Sequence, residues 1–194
     1  MRMEGSMHSS INAAIAYIIV QRICAVMGSH FGEPMTLLFG AKLRHLRRNC
    51  HWTQRDLANR LEDVGRAHVG NVETNSRPPS LLFVLRTASL FQVRTDYLMH
   101  DAIPVDRVAA SSVTYPITQV TLPTLFGSKL RHLRQQHHLS QIELAQLLGL
   151  AAHAHISLLE RGRHEPSIDL VIAIAEHFGV TTDYLLWDEI AIDG

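Results

Sequence analysis

The chain has 194 residues, a formal net charge of zero, 46% hydrophobic residues and two cysteines, Cys24 and Cys50. That length allows one or two domains. Two cysteines imply no disulfide framework and fit a reducing cytoplasm, where this protein is expected to reside.

Residues 1–36 read as an N-terminal extension. Ile11 to Gly28 is largely apolar but is interrupted by Asn12, Gln21 and Arg22. A membrane-spanning helix needs about 20 apolar residues, and a signal peptide carries its charge before the apolar core. Neither pattern is met, so no membrane association is expected. Met35 stands at a natural start for the segment that begins near Phe39. The extension is therefore read as a mobile segment or as upstream sequence from an early start codon, with a short amphipathic docking helix as the lesser alternative.

From Phe39 the chain runs FGAKLRHLRRNCHWTQRDLANRL, and from Phe126 it returns as FGSKLRHLRQQHHLSQIELAQLL. The register holds without a gap to Asp101 and Asp188, with 27 of 63 paired positions identical. Two copies are too few for a solenoid, so each is expected to be a small domain. The domains are assigned to residues 37–101 and 125–189, with a linker at 102–124 and a tail at 190–194. The charge is unevenly shared. Between Phe39 and Asp101 there are ten Lys/Arg against six Asp/Glu, and between Phe126 and Asp188 five against seven.

Each copy reads as five helices. In the first, Thr53 and Asp56 form a weak capping box ahead of the second helix, and the third carries the segment GRAHVGNVE. The linker holds Pro104, Pro116 and Pro123, which argue for an extended tether. Fully stretched, it would reach on the order of 75 Å. In the second copy Phe126, Leu130 and Leu133 line one side of a first helix, while Lys129, Arg131 and Arg134 are expected on its polar side. Ser140 with Glu143 makes a capping box for a helix from Gln141 to Leu148, closed by Gly149. A third helix runs from about Ala152 to Arg161, stopped by Gly162. Pro166 and Ser167 open a fourth through His177, and Thr182 and Asp183 start a short fifth through Leu186.

Two short helices joined by a tight turn, inside a five-helix unit, point to a helix-turn-helix. The runs LSQIELAQLLGL, HISLLERGRHEPS and IAEHFGVTTDYLL are similar to the phage-repressor-like (Cro-like, XRE) helix-turn-helix family, over nearly all of each copy. The first copy departs at the turns, with Glu62 where the second has Gly149 and Asn75 where it has Gly162. The resemblance implies an all-α chain: two lambda-repressor-like five-helix domains joined by an extended linker.

It also implies a sequence-specific DNA-binding regulator. Gln54 and Gln141, each just after its cap, resemble the family's phosphate-clamping glutamine, where free backbone donors and the helix dipole suit an anion. The third helix enters the major groove. In the first copy Arg66, His68 and Asn71 are expected to face outward, a set able to read guanine and adenine. In the second copy that face is His153, His155 and Ser157, a weaker reading surface, followed by Arg163 as a backbone contact. Arg44 is a candidate phosphate neighbour. The resemblance pairs Arg47 with Glu73 and Arg134 with Glu160 as structural ion pairs.

Thirteen histidines raise the question of a metal. His137 and His138 are adjacent, and His153 and His155 are two apart, so neither pair faces one ion from a regular helix. No metal site and no cofactor are expected. No nucleophile elbow, P-loop, HExxH or glycine-rich nucleotide turn occurs, so no enzyme activity is expected either. The expected partner is double-stranded DNA, with a homodimer left open. Domain 1 is expected to dominate base readout. The rival reading makes domain 2 a dimerisation or protein-partner module, antitoxin-like behaviour included, with DNA binding left to domain 1.

Overall fold

The computed structural model describes residues 36–62, 64–108, 115–116, 120–152 and 154–191. The N-terminal extension to residue 35 and the end of the tail, 192–194, lie outside them. The described residues form ten helices and no strand. In the first copy these are α1 (Phe39–Asn49), α2 (Gln54–Arg60), α3 (Arg66–Glu73), α4 (Leu81–Phe91) and α5 (Thr95–Met99). In the second they are α6 (Phe126–Gln136), α7 (Gln141–Leu147), α8 (Ala154–Glu160), α9 (Ile168–Phe178) and α10 (Thr182–Leu186). None is long and apolar enough to cross a membrane.

The two five-helix units repeat each other down to backbone detail. Both capping boxes form: the Thr53 and Ser140 hydroxyls accept from the amides of Asp56 and Glu143, whose carboxylates accept in return. The Ser80 and Ser167 hydroxyls cap α4 and α9 by accepting from the Phe83 and Leu170 amides. Left-handed backbone recurs at four matched positions, His51 and His138, Glu62 and Gly149, Asn75 and Gly162, Gln92 and Gly179. Three of the four turns are glycine in the second copy and a bulkier residue in the first. The turn geometry is thus kept even where the residue suited to it is not.

Packing follows the apolar stripe. Phe39, Leu43 and Leu46 of α1 are buried, as are Phe126, Leu130 and Leu133 of α6. α1 lies against α3 and α5, α2 against α3, and α4 against α5, with the same pairs in the second copy. Gly40 permits the close crossing of α1 and α3. A Cβ there would stand 2.4 Å from the Val72 carbonyl oxygen, and at Gly127 2.5 Å from that of Leu159.

One expectation fails, and the first copy shows the same arrangement. Lys129 does not lie on a polar helix face but is wholly buried, as is Lys42. The Lys129 ammonium donates to the carbonyls of Tyr184 and Trp187, each at 2.6 Å, and Lys42 donates to that of His100 at 2.7 Å. Each thereby closes the C-terminal end of the fifth helix, where carbonyls lack partners and the dipole favours a cation. Asp101 then returns to the start of its domain and accepts from the Leu37 and Leu38 amides at 2.8 and 2.9 Å. Asp188 does the same for Thr124 and Leu125. Each unit is tied end to end.

The units also touch each other, α5 against α10. The Thr95 amide donates to Asp183 Oδ1 at 2.9 Å, and the Thr182 amide to Asp96 Oδ1 at 2.8 Å. The Thr95 and Thr182 hydroxyls meet at 2.7 Å. The described part of the linker has neither helix nor strand, yet it is not a free tether. Tyr115 is buried, its ring stacked on Trp187 with centroids 4.4 Å apart. Gln92 accepts from the Tyr115 amide at 3.1 Å and donates to its carbonyl at 3.3 Å, while the Ser89 hydroxyl donates to the Pro116 carbonyl. The linker is clamped to the end of α4 in one unit and to Trp187 in the other.

Candidate nucleic-acid interface

In each unit the helix pair of interest is held by one buried glutamate. The Glu73 side chain has 0% exposure and sits at the end of α3. Arg47 of α1 grips it with two donors, Nε at 2.6 Å and Nη2 at 3.0 Å, while Nη1 donates to the Trp52 carbonyl at 2.8 Å. The second unit repeats this with Arg134 on Glu160 at 2.6 and 3.1 Å and on the Leu139 carbonyl at 2.8 Å. The forked guanidinium thus ties α1, the α1–α2 turn and α3 into one frame. Burial alone would raise the Glu73 carboxyl; hydrogen bonds from Arg47 and Gln54, with the charges of Arg47 and Arg44, hold it below its ordinary value. Glu160 is lowered against the same burial by Arg134, Gln141 and Arg131.

Gln54 and Gln141 open α2 and α7 beside these glutamates. Their amide nitrogens donate to Glu73 at 3.0 Å and to Glu160 at 2.7 Å. Each amide is thereby fixed at a helix N-terminus with its orientation set from behind. Gly70 passes directly over Gln54, a Cβ there standing 3.7 Å from the amide. Arg44 also joins the frame, donating to the Glu73 carbonyl at 3.0 Å while its side chain stays partly exposed.

Along α3, Val69 and Val72 are buried, and Arg66, Ala67 and Asn71 are exposed. Arg66 and Asn71 therefore stand on the outer face of the helix, as sequence spacing indicates. His68 does not share that position. It is half-buried, with its ring edge-on to Phe83 at 5.2 Å, beside a hollow of about 290 Å³ between the start of α3 and α4.

The second unit differs at the equivalent face. His153 lies outside the described residues. His155 and Ser157 are half-buried, and the His155 ring meets His164 edge-on at 5.6 Å. Arg161 and Arg163 are exposed after α8. At the start of α7, Ile142 is 53% exposed where the first unit has Arg55. Among the described residues, no three His, Cys, Asp or Glu side chains gather into a metal-binding group.

Sequence reasoning missed the inter-unit contacts of Thr95, Asp96, Thr182 and Asp183, although the repeated TDYL was visible. It also missed the buried lysines, whose signal was their retention within KLRHLR at an apolar-stripe position.

Two buried ion-pair frames, each joining a capped helix to the helix that follows it, define a tandem helix-turn-helix protein. Residues 38–100 match a helix-turn-helix domain model, and residues 130–185 match a helix-turn-helix model. An uncharacterized HTH-type transcriptional regulator of Methanocaldococcus jannaschii is 40% identical over 53 residues, which are 27% of this chain and 79% of that protein. No solved structure matches the chain. The chain belongs to the XRE-like helix-turn-helix family, with two tandem domains.

Proposed function

We propose that this chain is a transcriptional regulator that binds double-stranded DNA sequence-specifically, with domain 1 dominant in base readout. The family matches and the Methanocaldococcus jannaschii relative support the regulator class. The observation that carries the finer reading is the outer face of α3, where Arg66 and Asn71 are exposed beside the fixed Gln54 amide. Arg suits the acceptor pair of guanine and Asn the donor–acceptor pair of adenine. The Lys/Arg excess of domain 1 adds phosphate attraction.

Ile142 favours a second reading of domain 2. An exposed apolar residue replaces Arg55 at a position beside the proposed phosphate contact. In that reading domain 2 docks a protein partner and leaves DNA to domain 1. Selection of bound DNA by the full chain and by its Arg66→Ala, Asn71→Ala and Ile142→Arg variants separates the readings. Base readout by domain 1 predicts altered preference in the first two variants. Unchanged sites and affinity in both would overturn it. A gain of affinity in Ile142→Arg would place domain 2 on the duplex and remove the partner-docking reading.

A further inference from the structure

We infer that one chain acts as its own dimer and reads two unlike half-sites in inverted orientation. The inference rests on the DNA-binding reading and adds the symmetry and composition of the target.

The argument starts from the contact between α5 and α10. Thr95 of one unit bonds Asp183 of the other, and Thr182 bonds Asp96, so each interaction has its mirror partner. Residue i meeting j′ while j meets i′ marks an isologous contact. A head-to-tail contact would join unlike surfaces and leave one member of each pair unmatched. Thr95 also touches its own counterpart, Thr182, at 2.7 Å. A residue that contacts its equivalent lies beside the two-fold axis, which passes between the pair. The two units are therefore related by a local dyad between these hydroxyls.

The contact is built to hold. Thr95 and Thr182 are wholly buried, and Asp183 nearly so. Each aspartate accepts both the amide and the hydroxyl of the opposite threonine. Removing either carboxylate leaves a buried amide without an acceptor. His100 adds a link across the same seam, 3.6 Å from Asp96 and 3.8 Å from Glu176. The clamped Tyr115 fixes the linker against both units.

A dyad reverses the direction of one reading helix relative to the other along a shared duplex, so the matching DNA elements are inverted and not direct repeats. The faces themselves are not equivalent. Arg66 is matched by His153, Gly70 by Ser157 and Asn71 by Leu158. The two elements therefore differ in sequence, and the site has a polarity that a homodimer's site lacks. The dyad contact is already occupied within one chain, so a second copy is not needed to make the pair.

The test uses the full chain. Random duplexes are selected, and the recovered site is rebuilt in three forms: as found, with one element reversed, and with about 5 bp inserted between elements. The expected result is two unlike inverted elements and one chain per duplex by sedimentation. Reversal or half-turn insertion should weaken binding by roughly a hundredfold, because the second module then loses its effective concentration. An Asp96→Ala/Asp183→Ala variant should bind the altered forms and the original nearly alike. Sites with a single element, indifference to orientation or spacing, or two chains per duplex would overturn the inference and leave the regulator reading intact. Recovery of no preferred DNA would remove both. The altered-DNA arms need no variant, so a misfolded double mutant does not blunt the result.

Discussion

Gln54 and Glu73 lie 19 positions apart in sequence, and the amide of one donates to the buried carboxylate of the other at 3.0 Å. The same carboxylate takes both prongs of Arg47. One glutamate thus supports the frame and aims the side chain proposed to meet a phosphate. Removing Arg47 leaves that charge buried and largely uncompensated. Arg47→Leu is expected to destabilise domain 1 by roughly 3–5 kcal/mol, and the Arg47→Leu/Glu73→Leu double variant by clearly less. Urea denaturation of the three proteins measures both. Equal losses in the single and double variants would show that the buried charge is not the source of the effect.

The same glutamates are expected to contribute to the acid limit of the fold, together with Asp96 and Asp188, which are also held low. Glu73 and Glu160 are both held below their ordinary value of 4.5. A carboxylate depressed on folding adds stability that is fully present above its unfolded value and is lost as pH falls through its folded one. Helicity followed by circular dichroism should therefore hold to about pH 4.5 and decline below it. Glu73→Gln/Glu160→Gln should shallow that decline while lowering stability at neutral pH. An acid transition unchanged in the variant would assign the limit to other groups.

Lys42 shifts stability with pH in the same sense, but in the alkaline range. Burial pushes its ammonium down from 10.5 to about 8, against the pull of Asp101. Between those values the unfolded chain holds the proton and the folded one does not. Stability must then rise with pH across that window, until the unfolded lysine also deprotonates. Lys42→Met should remove the rise from the domain 1 transition. Denaturant midpoints at pH 7, 8.5 and 10 decide the matter; a flat or falling midpoint in the native chain contradicts it.

The turns make a separate prediction. Glu62 has φ 47° where its counterpart Gly149 has φ 65°, and the groups that Arg86 contacts there are backbone carbonyls. Glu62→Gly keeps those acceptors and relieves the left-handed strain, so a gain of about 0.5–1 kcal/mol is expected. Gln92 also has positive φ, but its side chain grips Tyr115. Gln92→Gly should therefore destabilise despite the better backbone. Thermal midpoints moving in the same direction for the two variants would defeat this distinction.

The features legible in the sequence are those whose signal is local. Caps such as Ser140 with Glu143, and stops such as Gly162, act within a few residues and were readable in one copy. The duplication then carried them into the other. Arg47 with Glu73 came from the family resemblance, since a contact spanning 26 positions leaves no local pattern. Lys42 and Lys129 defeated periodicity, because their acceptors are carbonyls of a helix more than 50 residues away. The inter-unit seam was hidden for the same reason. Thr95 and Asp96 look like an ordinary helix start, and only the folded chain shows that they are shared across a dyad.

The unequal reading faces give a final expectation. Arg66 on α3 and Arg163 beyond α8 are both exposed; the first is proposed to meet a base edge and the second a phosphate. A base contact carries sequence preference, whereas a phosphate contact carries counterion release. Arg66→Ala should lose about 1–3 kcal/mol on the preferred site and little on unrelated DNA, relaxing preference at one position. Arg163→Ala should weaken binding to all sequences alike and lower the salt slope by about 1. His155→Ala should change preference less than Arg66→Ala, because its ring is already engaged with His164. Titrations at three salt concentrations, on selected and scrambled duplexes, measure all of this. If His155→Ala alters preference more than Arg66→Ala, the dominance of domain 1 is wrong and the order of the two readers is reversed.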